Sequence, residues 1–490
     1  MKVFIAGAGI GGLSTAHYLA KYTDYEIHVY DVASKIGGLV ASHHTSQGMP
    51  TQHSPRVILP NYDLLTDIMK DIPFNEGTTF DNLVQTTSIT VRDGVPEKVK
   101  ILNPKMGISE FVSFGYTLLD GLLSCTKRAE ELDRLKVYDL IHSEQGRRWI
   151  RLLSHIAGEV PEVMPMYKML RFLEIDIKTL LGENKTKHSY ALNGPYSSHF
   201  LEPWQEYLEE QGVVFHLNTK IHNFEQNKVM IQEAYQKASF VEADIIVLAL
   251  NIDSLNKVLK HSHLDTHYVL ADRTFSEQLG LQLGFKEKLR LPTNEPSFYA
   301  LDSDWQMIIE PQEINFQDVF LGNQVKSLWS ITIPDVNLYS NFLEKTVKDC
   351  SKEELLEEVQ RQIKKELNVK GTLVQSSIND PIQPYTWNSA NTLHLRPNVR
   401  LAPNVYVAST LTKNDYYMTY KEGACEAALT VVEDIVGKRL VKRNRRVNLL
   451  HYIHKLDEFL YNQKMPSVLN TVLTIVLFYL ISIIAKRMRR

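Results

Sequence analysis

At 490 residues, with 44% hydrophobic and 23% charged side chains, the chain has an ordinary globular composition and is too long for one core, which predicts two to three domains. A net charge of −3 provides no global basic field and argues against a nucleic-acid partner. Cys125, Cys350 and Cys425 share no metal-ligand spacing, so neither a metal site nor a disulfide framework is expected, and a reducing compartment is.

Val3 to Ala6 is a short apolar run that reads as a strand, and Gly7-x-Gly9-x-x-Gly12 follows at once. Ile10 and Gly11 fill the middle of this motif, and Leu13, Ala16, Leu19 and Ala20 continue it at helical spacing. A second apolar run, Ile27 to Tyr30, is closed by Asp31. Strand, glycines, helix, strand and acid in this order form the βαβ signature of dinucleotide binding. Gly7 allows the tight turn, Gly9 lets a pyrophosphate approach the backbone, and Gly12 lets helix and strand pack closely. Free N–H groups at the helix N-terminus take the phosphate charge, and Asp31 stands where a carboxylate accepts ribose hydroxyls. The alternative is an accidental glycine-rich turn. No cleavable leader is expected, because Met1-Lys2 runs straight into the first strand.

Gly37-Gly38-Leu39 again suits close approach of backbone to a phosphate or ribityl chain. Gln52-His-Ser-Pro-Arg56-Val57 reads either as a polar turn or as a site wall. Helical spacing returns from Asn61 to Phe74, and short alternating runs from Val84 to Ile101 suggest strands. Residues 106–182 are helix-rich (Phe111 to Leu123, Ala129 to Ile141, Arg147 to Ile156, Tyr167 to Leu181), and their Met and aromatic side chains read first as core. Ser197 to Glu210 is helical, and Ala243 to Leu250 contains a fully buried strand. Thr346 to Leu367 is a charged amphipathic helix, and Pro381 to Trp387 is an aromatic stretch. Asn404 to Thr410 is a strand, and Glu422-Gly423-Ala424 opens a helix.

Near the C-terminus, Lys438 to Arg446 is a basic cluster, and Val447 to Tyr461 is amphipathic through Leu449, Leu450, Ile453, Leu456 and Leu460. The pair suits a linker facing lipid headgroups, with a solvated tether as the alternative. Ser467 to Ala485 has no charged residue, and Lys486-Arg-Met-Arg-Arg490 follows. That length crosses a hydrocarbon core of about 30 Å, so a lipid bilayer is the expected partner of residues 467–485.

These pieces together resemble the flavin-dependent amine oxidase and phytoene desaturase superfamily, in its desaturase-like branch. The resemblance covers the glycine motif, the acid at Asp31 and the Gly37-Gly38 pair. It continues through Gly212 to Ile221, Ala243 to Leu250 and Asn404 to Ala424. It implies an α/β fold in which an FAD-binding Rossmann-like domain (1–60, 191–285 and 391–436) carries an inserted α+β substrate domain (61–190 and 286–390). A basic and amphipathic linker (437–465) and a transmembrane anchor with a basic tail (466–490) complete the expected organisation.

FAD is the implied cofactor. Leu39 stands where the family often has Arg, and Ile221 where a Val holds the adenine through its backbone. Ser409 replaces the acid that binds the ribityl chain, and Glu422-Gly423-Ala424 faces the flavin N1–C2=O2 edge. Arg56, Tyr417 and Tyr420 are the expected wall of the reaction site. The implied activity is hydride removal from a hydrophobic isoprenoid- or sterol-like small molecule. The body is expected in the cytosol, anchored to the mitochondrial outer membrane or the endoplasmic reticulum. The formal sequon Asn184-Lys-Thr186 would then go unused. The alternatives are a peroxide-producing amine oxidase, a flavin-dependent isomerase, and a non-catalytic membrane-tethered binding protein.

Overall fold

The computed structural model describes residues 1–98, 107–156, 159–264, 277–293, 295–379, 390–414, 416, 420–443 and 445–488. Its first layer is a six-stranded sheet in the spatial order Val214–His216, Glu26–Tyr30, Lys2–Ala6, Ile245–Leu248, Val405–Val407 and Arg400–Ala402. The first five strands are parallel and the last is antiparallel. Alternation along Lys2–Ala6 explains why it lies inside. Val3 and Ile5 join one core with Leu13, Leu19, Leu429 and Val432. Phe4 and Ala6 join the other with Ile231, Ile246 and Leu255. Helices Ile10–Tyr22 and Lys421–Val436 therefore pack together on one face. Helix Ile252–His261 and a three-stranded sheet (Thr219–Glu225, Lys228–Glu233, Ser239–Glu242) cover the other.

The second layer is a larger sheet running Leu373–Asn379, Leu279–Phe285, Ser327–Ile333, Ile308–Pro311, Ser297–Leu301, Leu83–Arg92 and Val95–Lys98. Leu279–Phe285 pairs on both sides inside this sheet. The sequence-based boundary at 285, which gave this strand to the nucleotide domain, is therefore corrected: its residues are fully buried among the substrate-side strands. Helix Lys352–Leu367, capped by Ser351 and Glu354, lays Leu355, Val359 and Ile363 on that sheet.

The helix-rich insertion contains Ile108–Leu123, Glu144–Ile156 and Met166–Leu180. The single helix expected from Ala129 to Ile141 is two short ones, Ala129–Asp133 and Val137–Leu140, parted where Lys136 bridges to Pro165. Residues 99–101 of the expected strands and the stretch 380–389 lie outside the described residues.

The basic cluster is the main correction. Lys438, Arg439 and Lys442 are exposed, but Arg443, Arg445 and Arg446 turn inward. Arg443 pairs with Glu426 at 3.0 Å and with Glu433. Arg445 pairs with Glu422 at 2.9 Å and with Glu426. Arg446 reaches Glu174 at 2.5 Å and donates to the carbonyl of Ser124 at 2.8 Å. Three of the six cations in the expected headgroup-facing cluster thus clasp helix Lys421–Val436 to the helix-rich insertion. The helix Val468–Met488 follows, and its window Val468–Ala485 has a mean hydropathy of 2.4 with none of it buried. By length and composition it is able to cross a bilayer.

Candidate cofactor and substrate site

The glycine loop is held by contacts that only backbone can make. The Gly7 N–H donates to the Tyr30 carbonyl at 2.7 Å, and Gly7 has a φ of +102°. A Cβ on Gly12 would collide with the Gly7 carbonyl oxygen, and one on Gly11 with that of Ala408. Gly9 is different: a Cβ there would meet nothing within 4 Å. The loop is tight everywhere except at the one glycine expected to face a pyrophosphate. Helix Ile10–Tyr22 starts there with no side-chain cap and no acid in its first turn, so its N–H groups and dipole are left for an anion.

Gly37 donates to the Ala8 carbonyl at 2.7 Å and bridges to Gly9, which brings Gly38 and Leu39 beside the loop. Asp31 is partly engaged already. Its carboxylate accepts from the N–H groups of Ala8 at 2.7 Å and Ala33 at 2.8 Å, and it thereby also fixes the loop. The Asp31 carbonyl accepts from Thr219 at 2.8 Å, which draws in the strand carrying Ile221. The ladder of that strand shifts between Ile221 and Asn223, so a backbone contact is open there. Ser409 follows Ala408 against Gly11, with its hydroxyl 3.4 Å from the Leu411 N–H. The side chain of Leu39 is exposed, and its carbonyl accepts from Arg56.

Arg56 links this loop to the second part of the site. It is 5% exposed, and its Nε has no hydrogen-bond partner among the described residues. With Val57, Ile156, Phe172, Phe298, Tyr420 and Lys421 it lines a cavity of about 190 Å³. A wider cavity of about 530 Å³ shares Leu59, Ile156 and Phe172 with it and continues to Lys187 and His188. Helix Lys421–Val436 begins at the inner cavity, with Tyr420 as an uncapped N-terminus. Tyr417 lies outside the described residues.

Sequence reasoning missed Lys421 and Glu310. Lys421 donates to the Val57 carbonyl at 3.1 Å and to the Tyr196 hydroxyl at 3.2 Å. Burial pulls its ammonium down to about 7; Arg56 pushes the same way and Glu310 opposes. Glu310 is 2% exposed and accepts from Asn315 at 3.0 Å, and burial pushes its carboxyl up to about 7. The one available signal for Lys421 was a cation placed directly before the Glu422-Gly423-Ala424 helix start.

Glu422 differs from its expected role. Its carboxylate accepts from the N–H groups of Leu64 at 2.9 Å and Leu65 at 3.0 Å, capping helix Asp63–Asp71, which has no side-chain cap of its own. The Glu422 side chain is therefore spent on structure. The backbone of Glu422, Gly423 and Ala424 still forms the helix start beside the cavity.

A family model for flavin containing amine oxidoreductases matches residues 10–436. The chain belongs to that family. Over 291 residues this flavin-containing amine oxidoreductase is 23% identical to the 15-cis-phytoene desaturase of Synechococcus elongatus, covering 53% of this chain and 60% of that protein. It is also 23% identical over 296 residues to the chloroplastic/chromoplastic enzyme of that name from Capsicum annuum, covering 55% and 49%. The match thus spans 60% or less of either relative's length.

Among solved structures, putrescine oxidase bound to putrescine superimposes with a TM-score of 0.63 at 11% identity, covering 89% of this chain and 100% of that one. Cyclohexylamine oxidase from Brevibacterium oxydans IH-35A gives 0.60 at 14% identity, covering 89% and 99%. These likenesses establish the fold. FAD is the cofactor of this flavin-containing amine oxidoreductase, and the open cradle at Gly9 and the two uncapped helix starts fit it.

Proposed function

We propose that this chain removes a hydride from a C–H bond of a hydrophobic, isoprenoid- or sterol-like substrate while anchored to a membrane by residues 467–485, with its body in the cytosol. Bound FAD supplies the hydride acceptor. The chain's own residues do the rest. The apolar walls from Val57, Ile156, Phe172 and Phe298 exclude water and hold a hydrocarbon. The open N-terminus of helix Lys421–Val436 and the Lys421 ammonium favour negative charge at the inner end. Arg56 ties the Leu39 turn to the cavity wall, so cofactor track and substrate wall are set by one side chain.

The observation that carries the reading is the charge of the inner cavity. Arg56 and Lys421 line it, and no carboxylate does among the described lining residues. An alkylammonium would meet like charge there, whereas a neutral hydrocarbon would not. Anaerobic mixing of the purified full chain with isoprenoid lipids and with alkylamines tests this. Bleaching of the flavin absorbance by lipids alone is expected, and bleaching by amines alone sinks the proposal.

One feature favours amine oxidation as the second reading. Asp176 lines the outer cavity and gives an ammonium one place to rest. Peroxide release with an amine panel identifies that case. Resistance of the membrane-bound chain to alkaline carbonate extraction tests the anchor separately.

A further inference from the structure

Helix Ile108–Leu123 has two apolar faces. Phe114, Leu118 and Gly121 are buried inward. Ile108, Phe111, Val112, Tyr116 and Leu119 recur at helical spacing on the other side and are exposed, from 38% at Tyr116 to 85% at Ile108. Helix His451–Asn462 repeats the pattern. It buries Asp457 and Leu460, while Tyr452, Leu456 and Phe459 are 51–81% exposed and Leu449 just before it is 74% exposed. A soluble protein rarely leaves two such stripes together in water.

Both helices meet at the base of the apolar helix Val468–Met488. Tyr116 donates its hydroxyl to Asn470 Oδ1 at 2.5 Å, and Ser467 donates to Asp120 Oδ1 at 2.5 Å. The Val468 N–H donates to Asp457 Oδ1 at 2.9 Å. The other Asp457 oxygen accepts from Arg128 Nε at 2.9 Å and from the Cys125 N–H at 2.7 Å. The apolar helix is thus rooted in the body and does not hang from a loose tether.

We infer that the two exposed stripes form a seat on the lipid bilayer, so that the body lies in the interfacial layer of the leaflet that the apolar helix enters. The seat rests on the anchoring reading above. Continuity assigns the occupant: the stripes flank the root of a helix whose apolar window has no buried residue. Tyr116 and Tyr452, amphipathic rings on the two stripes, suit the headgroup level. The seat also shortens the path of a lipid substrate. Helix Ile108–Leu123 packs on helix Met166–Leu180, whose Met169, Phe172 and Ile175 line the outer cavity.

The full chain with bound FAD, reconstituted in phosphatidylcholine vesicles that contain nitroxide-labelled lipid, tests the seat. Single cysteines are introduced by Val112→Cys, Leu456→Cys, Phe478→Cys and Tyr235→Cys in a Cys350→Ser background, since Cys125 and Cys425 are buried. Each is labelled with an environment-sensitive fluorophore, and flavin absorbance verifies folding. Quenching of twofold or more at 112, 456 and 478, with none at 235, is expected. Quenching at 478 without 112 and 456 overturns the seat and leaves the anchor standing. Quenching at 112 and 456 without 478 overturns the spanning helix and leaves the seat as the attachment. No quenching at any of the three overturns both.

Discussion

Two helices open toward the cofactor track, and they are built by opposite means. Helix Ile10–Tyr22 starts from glycines, with no charged side chain in its first turn. Helix Lys421–Val436 starts with a lysine and a glutamate, both driven inside. The first needs only backbone geometry. The second needs partners: Arg445 for Glu422 and Glu426, and Tyr196 and Val57 for Lys421. A site made by absence of side chains is robust to charge but intolerant of a single methyl group. A site made by buried ions tolerates shape changes but not the loss of one partner.

The largest expected effect is at the first helix. Gly12→Val drives a side chain into the Gly7 carbonyl and should leave no folded flavoprotein in a thermal melt. Gly9→Val is the contrast within the same loop. Its Cβ meets nothing within 4 Å, so the apo chain should melt within about 1 kcal/mol of wild type, because it escapes the mechanisms of large destabilisation. FAD uptake, read by absorbance, should be lost. If Gly9→Val still binds FAD normally, the cradle is misassigned.

At the second helix, Arg445→Met strands Glu422, which is 0% exposed, while Glu426 keeps Arg443, at an expected cost of about 3–5 kcal/mol in urea unfolding. Adding Glu422→Gln should restore part of it. A loss below about 1 kcal/mol would show that the ion cluster is not holding the helix.

A smaller effect depends on pH. The Glu310 carboxyl titrates near 7 in the folded chain against an ordinary 4.5, so its favourable contribution is fully present below about pH 4.5 and is lost as pH rises through about 7. The stability of wild type relative to Glu310→Gln should therefore fall between these values and level off above. Lys421 has the opposite sign. Its depressed ammonium contributes stability above its ordinary 10.5 that is lost as pH falls toward about 7. Wild type relative to Lys421→Met should gain stability as pH rises from about 7 to 10.5. Flat difference curves would remove both groups from the buried cluster.

The smallest effect is the control. Changing Lys438, Arg439 and Lys442 to Gln should move stability by no more than about 0.5 kcal/mol per substitution, because these neighbours of Arg445 in sequence are exposed.

This asymmetry also explains what was legible in the sequence. Gly7, Gly9, Gly12, Asp31 and the strand order around them are local demands of the backbone, and spacing reveals them. The destination of Arg445 is not local. A basic run displays its charge but not its partners, and the carboxylates that claim it stand at positions 422 and 426, one turn apart on a helix that seemed to need only its backbone. Glu310 was silent because nothing near it in sequence hints at Lys421. The exposed stripe of Ile108, Phe111 and Val112 was illegible for a related reason. Helical periodicity shows that a face is apolar, not whether protein or lipid covers it.

The clasp of residues 443–446 has a further consequence, in biosynthesis. Strand Lys2–Ala6 lies between Glu26–Tyr30 and Ile245–Leu248, and Ser14 meets Cys425 at 3.4 Å across 411 residues of chain. The buried carboxylates of the helix carrying Cys425 are paired by Arg443 and Arg445. At roughly 5–20 residues per second of synthesis, the first layer waits on the order of 20–90 s for the segment that completes it. The strand's own neighbours, Glu26–Tyr30 and Ile245–Leu248, are made well before that segment. What waits is the face of helix Ile10–Tyr22 that meets Cys425, so an early apolar helix face is covered only when residues about 400 positions later arrive.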